Sequence, residues 1–167
     1  MFVSRILVVV AVAFAMSACA GYQAIKPEAA IVIDNRISVA PQVMWAKPTG
    51  PGVRETVWTI DGFGLDELYF LLGRKPGDTL FALSSSEKKD FPAVKAGMLP
   101  NDTMELMVNS LTRLSNNQVR ASNLAPAPFG APNAGFRFDL NFVNKDGLEM
   151  RGMALGRQQK DTVDVLL

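Results

Sequence analysis

Histidine is absent from the 167 residues. The commonest general base, metal ligand and physiological pH switch is therefore missing, and Ser-His-Asp or Cys-His catalysis within the chain is excluded. Cysteine occurs once, at Cys19. No disulfide can close inside the chain, and no set of thiolates can hold a metal. Neither sign of charge is in excess, since 17 basic and 16 acidic residues leave a formal net charge of +1. With no basic stripe in any segment, the electrostatic footprint of a nucleic-acid binder is missing too. No apolar run reaches the ~20 residues that a helix needs to cross a bilayer. For chemistry this leaves carboxylates, Ser-Lys pairs, or none, and no cofactor or metal is implied.

What is present begins with an export pattern. Arg5 is followed by the uninterrupted apolar run Ile6 to Met16, then by the small residues Ser17 and Ala18. A positive start, a short apolar stretch and a small-residue cut site make a secretory signal. The run is about half the length of a spanning helix. Met16-Ser17-Ala18-Cys19 resembles the lipobox of bacterial lipoproteins, a large apolar residue and two small ones before cysteine, although leucine is more usual where Met16 stands. The resemblance implies a signal peptide over 1–18, cleavage between Ala18 and Cys19, a diacylglyceryl group on the Cys19 thiol and acylation of the freed amino group. A thiol suits the first step because sulfur is the better nucleophile. Each buried CH₂ of an acyl chain contributes roughly 0.8 kcal/mol to anchoring. The competing reading is a plain secretory signal with a chance cysteine. Ala20 stands where aspartate would hold such a lipoprotein in the inner membrane, which implies the outer membrane, facing the periplasm.

Without its signal the chain keeps about 150 residues, enough for one domain with a core. Arg5 is the one charged residue removed, so the remainder carries equal numbers of each sign. Residues 19–29 are expected to be the lipidated cysteine and a tether, with Ala20 to Pro27 unstructured. Residues 30–167 are expected to form a single α+β domain.

Ile31-Val32-Ile33 reads as a first strand and Ile37 to Trp45 as a second, with Pro41 confining it to an edge or breaking it. Lys47 to Gly52 is a turn by composition. Thr56 to Ile60 is a strand, and Leu65 to Leu72 its hairpin partner across Asp61-Gly62-Phe63-Gly64. Thr79 to Leu83 reads as a short strand and Ser84 to Asp90 as an exposed loop. The main helix spans about 102–115: Met104, Met107, Val108, Leu111 and Leu114 form one stripe, Asp102 and Glu105 read as a capping box, and Asn116-Asn117 ends it. Val119 to Leu124 reads as a strand. The prolines 126, 128 and 132 make 125–135 a long irregular loop with Phe129 at its middle. Phe136, Phe138, Leu140 and Phe142 alternate with Arg137, Asp139 and Asn141, the period of a half-buried strand. Asn144 to Gly147 is a hairpin turn, Leu148 to Leu155 returns, Arg157 to Asp161 turns again, and Thr162 to Leu167 completes an antiparallel meander under the helix. The apolar ending Val165-Leu166-Leu167 leads to the expectation of a further C-terminal piece, and so of a truncated end.

The stretches WTIDGFGLDELYF, GMLPNDTMELMVNSL and NLAPAPFGAPNAGFRFDLNFVNKDGLEMRG resemble a family of small, uncharacterised bacterial lipoproteins over most of the mature domain. The resemblance implies no activity. The order of elements is similar to the PsbP/Mog1-like α/β sandwich, an antiparallel sheet flanked by helices, which implies binding and assembly roles rather than catalysis.

Candidate chemistry is thin. Ser85 with Lys88, and Ser86 with Lys89, have Ser-x-x-Lys spacing and Ser115-Asn116-Asn117 a Ser-x-Asn pattern, but no Lys-Thr-Gly strand accompanies them; a solvated loop is the better reading. Asp61, Asp66 and Glu67 gather carboxylates at a turn that Asp-Gly chemistry explains by itself. Asn144 to Gly147 lacks the first ligand of a calcium loop, since Phe142 stands there. Phe136, Phe138 and Phe142 read as core, with the lining of a lipid cavity as the competing reading. Phe129 is the candidate partner-loop residue: exposed, it marks a partner site; buried, it makes the loop a lid. Three functions follow in order: a lipid-anchored envelope module that binds or helps assemble another envelope protein, a small-ligand or lipid carrier with a pocket between helix and sheet, and last an enzyme using Asp61, Asp66 and Glu67.

Overall fold

The computed structural model describes residues 21–50, 56–62, 64–130 and 134–167. Ten strands are β1 (Gly21–Ile25), β2 (Ile31–Ile33), β3 (Ile37–Val39), β4 (Trp45–Thr49), β5 (Thr56–Thr59), β6 (Glu67–Arg74), β7 (Arg120–Pro128), β8 (Ala134–Val143), β9 (Glu149–Gln159) and β10 (Thr162–Leu166). The α-helix among the described residues is α1 (Pro100–Ser115). Eight strands make one sheet in the order β1-β4-β5-β6-β10-β9-β8-β7, and every pairing is antiparallel. The fold is α+β.

The period-two rule sends alternate residues of each strand to opposite faces, and here both faces are covered. On one face Phe136, Phe138, Leu140, Ala154, Val163, Val165 and Leu71 pack against α1. On the other, Trp58, Phe70 and Leu72 pack with Ile25 and with Ile31, Ile33, Ile37 and Val39 of the β2–β3 hairpin. Trp58 is fully buried, its ring 4.7 Å from that of Phe70. The hairpin closes through Asp34 (φ 49) and Asn35 (φ 54), both left-handed, with the Arg36 N–H donating to the Ile33 carbonyl at 2.9 Å. Asp and Asn tolerate that conformation, which the central residues of a type I′ turn require.

Several expectations need correction. The stretch expected as a tether holds β1, paired from Gly21↔Thr49 to Ile25↔Trp45. Ile25 is buried in the second cluster, so burial and a complete ladder order a segment whose composition looked loose. The same pairing makes Lys47 to Thr49 strand rather than turn; β4 meets β5 only at Ala46↔Thr59, which accommodates Pro48. Residues 50–52 close that expected turn, and of these 51 and 52 lie outside the described residues. The expected strand Ile37 to Trp45 is two strands, β3 and β4, parted around Pro41.

Residues 125–128 are not irregular. They extend β7 at the far edge of the sheet, with Pro126↔Phe136 and Pro128↔Ala134 in register. An edge strand needs N–H groups on one side only, so it accepts proline. Thr79 to Leu83 forms no strand beyond the single bridge Thr79↔Ala93; Leu80 and Phe81 fill the core instead. The strand β9 continues to Gln159, so Arg157 is a strand residue and the turn shrinks to Lys160-Asp161.

The helix starts at Pro100 behind Leu99, and Asp102 caps it from the third position, its Oδ2 accepting the Leu99 N–H at 2.7 Å. Its inner face is Thr103, Leu106, Met107, Ser110, Leu111 and Ser115. Leu114 is 41% exposed. Met107 and Leu111 of the expected stripe are buried, and Met104 and Val108 pack partly buried against the same core; small hydroxyl residues share this inner face. Ser110 and Ser115 donate back to the Leu106 and Leu111 carbonyls at 2.7 and 2.8 Å, which satisfies them inside the packing layer.

Candidate functional site

A carboxylate with no exposed side-chain surface, Asp164, sits on the hairpin side of the sheet. Between Val163↔Arg74 and Val165↔Leu71 the register of β10 with β6 shifts, so Leu72 and Gly73 together oppose Asp164. This is a β-bulge, and it aims the Gly73 N–H at Asp164 Oδ1, 2.6 Å away. Gly73 has φ 66, and a Cβ there would stand 3.3 Å from the Arg36 side chain. The left-handed backbone favours glycine there, and the space beside Arg36 is tight.

Two arginines complete the cluster. Arg36 Nε donates to Asp164 Oδ1 at 2.9 Å, while its Nη2 donates to Thr162 Oγ1 at 2.9 Å. Arg157 Nε donates to Asp164 Oδ2 at 2.8 Å, and its guanidinium carbon lies 4.8 Å over the Phe129 ring. Burial by itself pushes the Asp164 carboxyl up. The hydrogen bonds from Arg36, Gly73 and Arg157, with the charge of Arg36, outweigh it and hold the group below its ordinary value of 3.8. Chemically this is a staple. It ties the β2–β3 turn and the β7–β8 connection to the centre of the sheet, and its oxygens have no room left for a substrate.

Phe129 is thus buried, 5% exposed, beneath Arg157. It follows directly on the last residue of β7, so it stands at a strand end rather than in the middle of a loop. Arg36, Arg157 and Asp164 escaped sequence reasoning. The available signal was an aspartate between Val163 and Val165 in an otherwise apolar strand.

A cleft of about 560 Å³ opens on the helix side, between the C-terminal end of α1 and the sheet. Its apolar walls include Phe81, Leu111, Leu114, Phe142, Met150 and Leu167. Gly152 leaves space in the floor, since a Cβ there would meet only Leu167 Cδ1, at 3.6 Å. One rim carries Asp66 from the turn before β6 and Glu67 from its first position, the other Lys145 and Asp146 from the β8–β9 turn. The size falls within the range of small-molecule sites, and the apolar floor with a polar rim is their usual make-up.

The acidic group is only partly gathered. Glu67 Oε1 accepts the Gly64 N–H at 3.0 Å and its Oε2 the Tyr69 hydroxyl at 3.1 Å, which is turn chemistry. Asp61 and Asp66 are exposed. Among the described residues no cluster of His, Cys, Asp or Glu could hold a metal ion. Ser85, Ser86, Lys88 and Lys89 are exposed around a one-turn 3-10 helix, Glu87–Asp90. Asn144 Oδ1 accepts the Asp146 and Leu148 N–H groups, both at 2.9 Å, and so closes the β8–β9 turn on itself. Ala18 and Cys19 lie outside the described residues, and no described helix is long and apolar enough to cross a membrane. Comparison with known proteins finds no matching family model, no matching curated protein and no matching solved structure.

Proposed function

We propose that the chain is a lipid-anchored lipoprotein of the bacterial envelope, held in the outer membrane by acyl chains on Cys19, and that its domain binds or helps assemble other envelope components facing the periplasm. The observation that carries this reading is Cys19 itself, standing behind Arg5, the apolar run Ile6 to Met16 and two small residues. The antiparallel sheet with a helix on one face supports a PsbP/Mog1-like domain, a fold suited to binding. No catalytic step is assigned, because the chain has no histidine and the buried carboxylate Asp164 is saturated by Arg36, Arg157 and Gly73. Since Phe129 is buried, the binding surface is better sought at the cleft.

The cleft favours a second reading, a carrier for a small amphiphile whose apolar part occupies the space above Gly152. Native mass spectrometry of protein released gently from membranes separates the two. A bound species of lipid-like mass supports the carrier. A clean apoprotein that crosslinks reproducibly to one envelope protein supports the assembly module. The anchor common to both is tested by the intact mass of the membrane-derived chain.

A further inference from the structure

The strand β1 begins at Gly21, with Ala20 alone between it and Cys19. Gly21 is already fixed: it pairs with Thr49, whose hydroxyl donates to the Gly21 carbonyl at 3.0 Å. A chain spans at most ~3.6 Å per residue, so the Cα of Cys19 lies within roughly 7 Å of that of Gly21. An acylated Cys19 therefore leaves no slack between the bilayer and the sheet. We propose that the Gly21–Thr49 end of the β1–β4 pair rests on the phospholipid surface, with Tyr22 at headgroup level and the cleft turned away from the membrane. This rests on the acylation of Cys19 proposed above.

Two further observations point the same way. Gly21, Tyr22, Gln23 and Ala24 are all exposed, and only Ile25 of β1 enters the core. The outermost strand is thus held by its ladder to β4 and contributes little burial of its own, as befits an edge with a cover from outside. Tyr22 is 53% exposed, and tyrosine is favoured where a bilayer meets water, its ring apolar and its hydroxyl wet. Lys47, opposite Gln23, adds a positive charge suited to anionic headgroups.

The antiparallel registers fix where the cleft stands. Ile25, Trp45, Thr59 and Glu67 lie at one end of their strands; Gly21, Thr49 and Arg74 lie at the other. Glu67 and Tyr69 of β6, Gly152 of β9 and Phe142 of β8 line the cleft, so it lies three to six strands across the sheet from β1, where a periplasmic partner or ligand can reach it.

Acylated Cys19 has no thiol, so one introduced cysteine is the single labelling site. The full chain with Gln23→Cys or Lys145→Cys, both exposed positions, is purified from membranes. It is dye-labelled and placed in vesicles of phosphatidylethanolamine and phosphatidylglycerol carrying a headgroup-attached quencher. The dye at position 23 is expected to be quenched several-fold more than the dye at position 145. Equal quenching in chains whose mass shows the acyl groups overturns the orientation and leaves the anchor standing. Chains without acyl mass overturn the anchor and the orientation with it.

Discussion

Asp164 takes hydrogen bonds from Arg36, Arg157 and the Gly73 amide while wholly buried. Removing one partner of such a cluster leaves an uncompensated charge in a dry site, at a cost of about 3–5 kcal/mol. Urea unfolding at pH 7 is expected to show a loss of that size for Asp164→Ala. The pH dependence follows from the lowered folded value. The contribution of Asp164 is fully present above its unfolded value near 3.8 and is lost as pH falls through the lower folded one. The stability gap between wild type and Asp164→Asn should hold constant from pH 7 to about 5 and shrink below pH 4; a gap that widens in acid contradicts this. None of this was legible locally. Alternation assigns Asp164 to the face opposite Val163 and Val165, but nothing in the strand says that a hairpin covers that face. The Arg36 partner stands 128 residues away.

Elements were legible where their own period decided them. The run Phe136 to Phe142 alternates and is a strand, and Asn144 to Gly147 is its turn. Elements decided by position in the sheet were not. The prolines of β7 argue for a loop until the strand is seen at an edge, and β1 argues for a tether until β4 is seen beside it. Helix α1 was legible in extent and in most of its inner stripe, but not in full, because serine at positions 110 and 115 looks polar in sequence and lies inside. Two substitutions separate the buried face from Leu114, the exposed end of the expected stripe. Leu106→Ala is expected to cost about 2–5 kcal/mol, whereas Leu114→Ser should stay within about 0.5 kcal/mol. Denaturant midpoints of the two variants decide it; equal losses would place Leu114 on the buried face as well.

For the whole molecule, the sheet is covered by α1 on one face and by the β2–β3 hairpin on the other, with a cleft where α1 ends short of the β8–β9 turn. The space above Gly152 tests whether that cleft is used. Gly152→Val places methyl groups where only Leu167 is near, so the unfolding midpoint should hold while any co-purifying amphiphile seen by native mass spectrometry is lost. Retention of the ligand at full occupancy would put its site elsewhere. A pocket between helix and sheet was an expectation of the carrier reading, but its walls were not legible in the sequence, since they come from a helix end, three strands and two turns. The proposed export signal rests on one contiguous stretch around Cys19. The proposed anchor stands or falls on that residue. Its most direct measurement is the intact mass of the protein from a membrane fraction, wild type beside Cys19→Ser. Loss of residues 1–18 with added acyl mass on wild type alone is the predicted result. An unacylated wild-type chain, cut near the same place and free of the membrane, would contradict it.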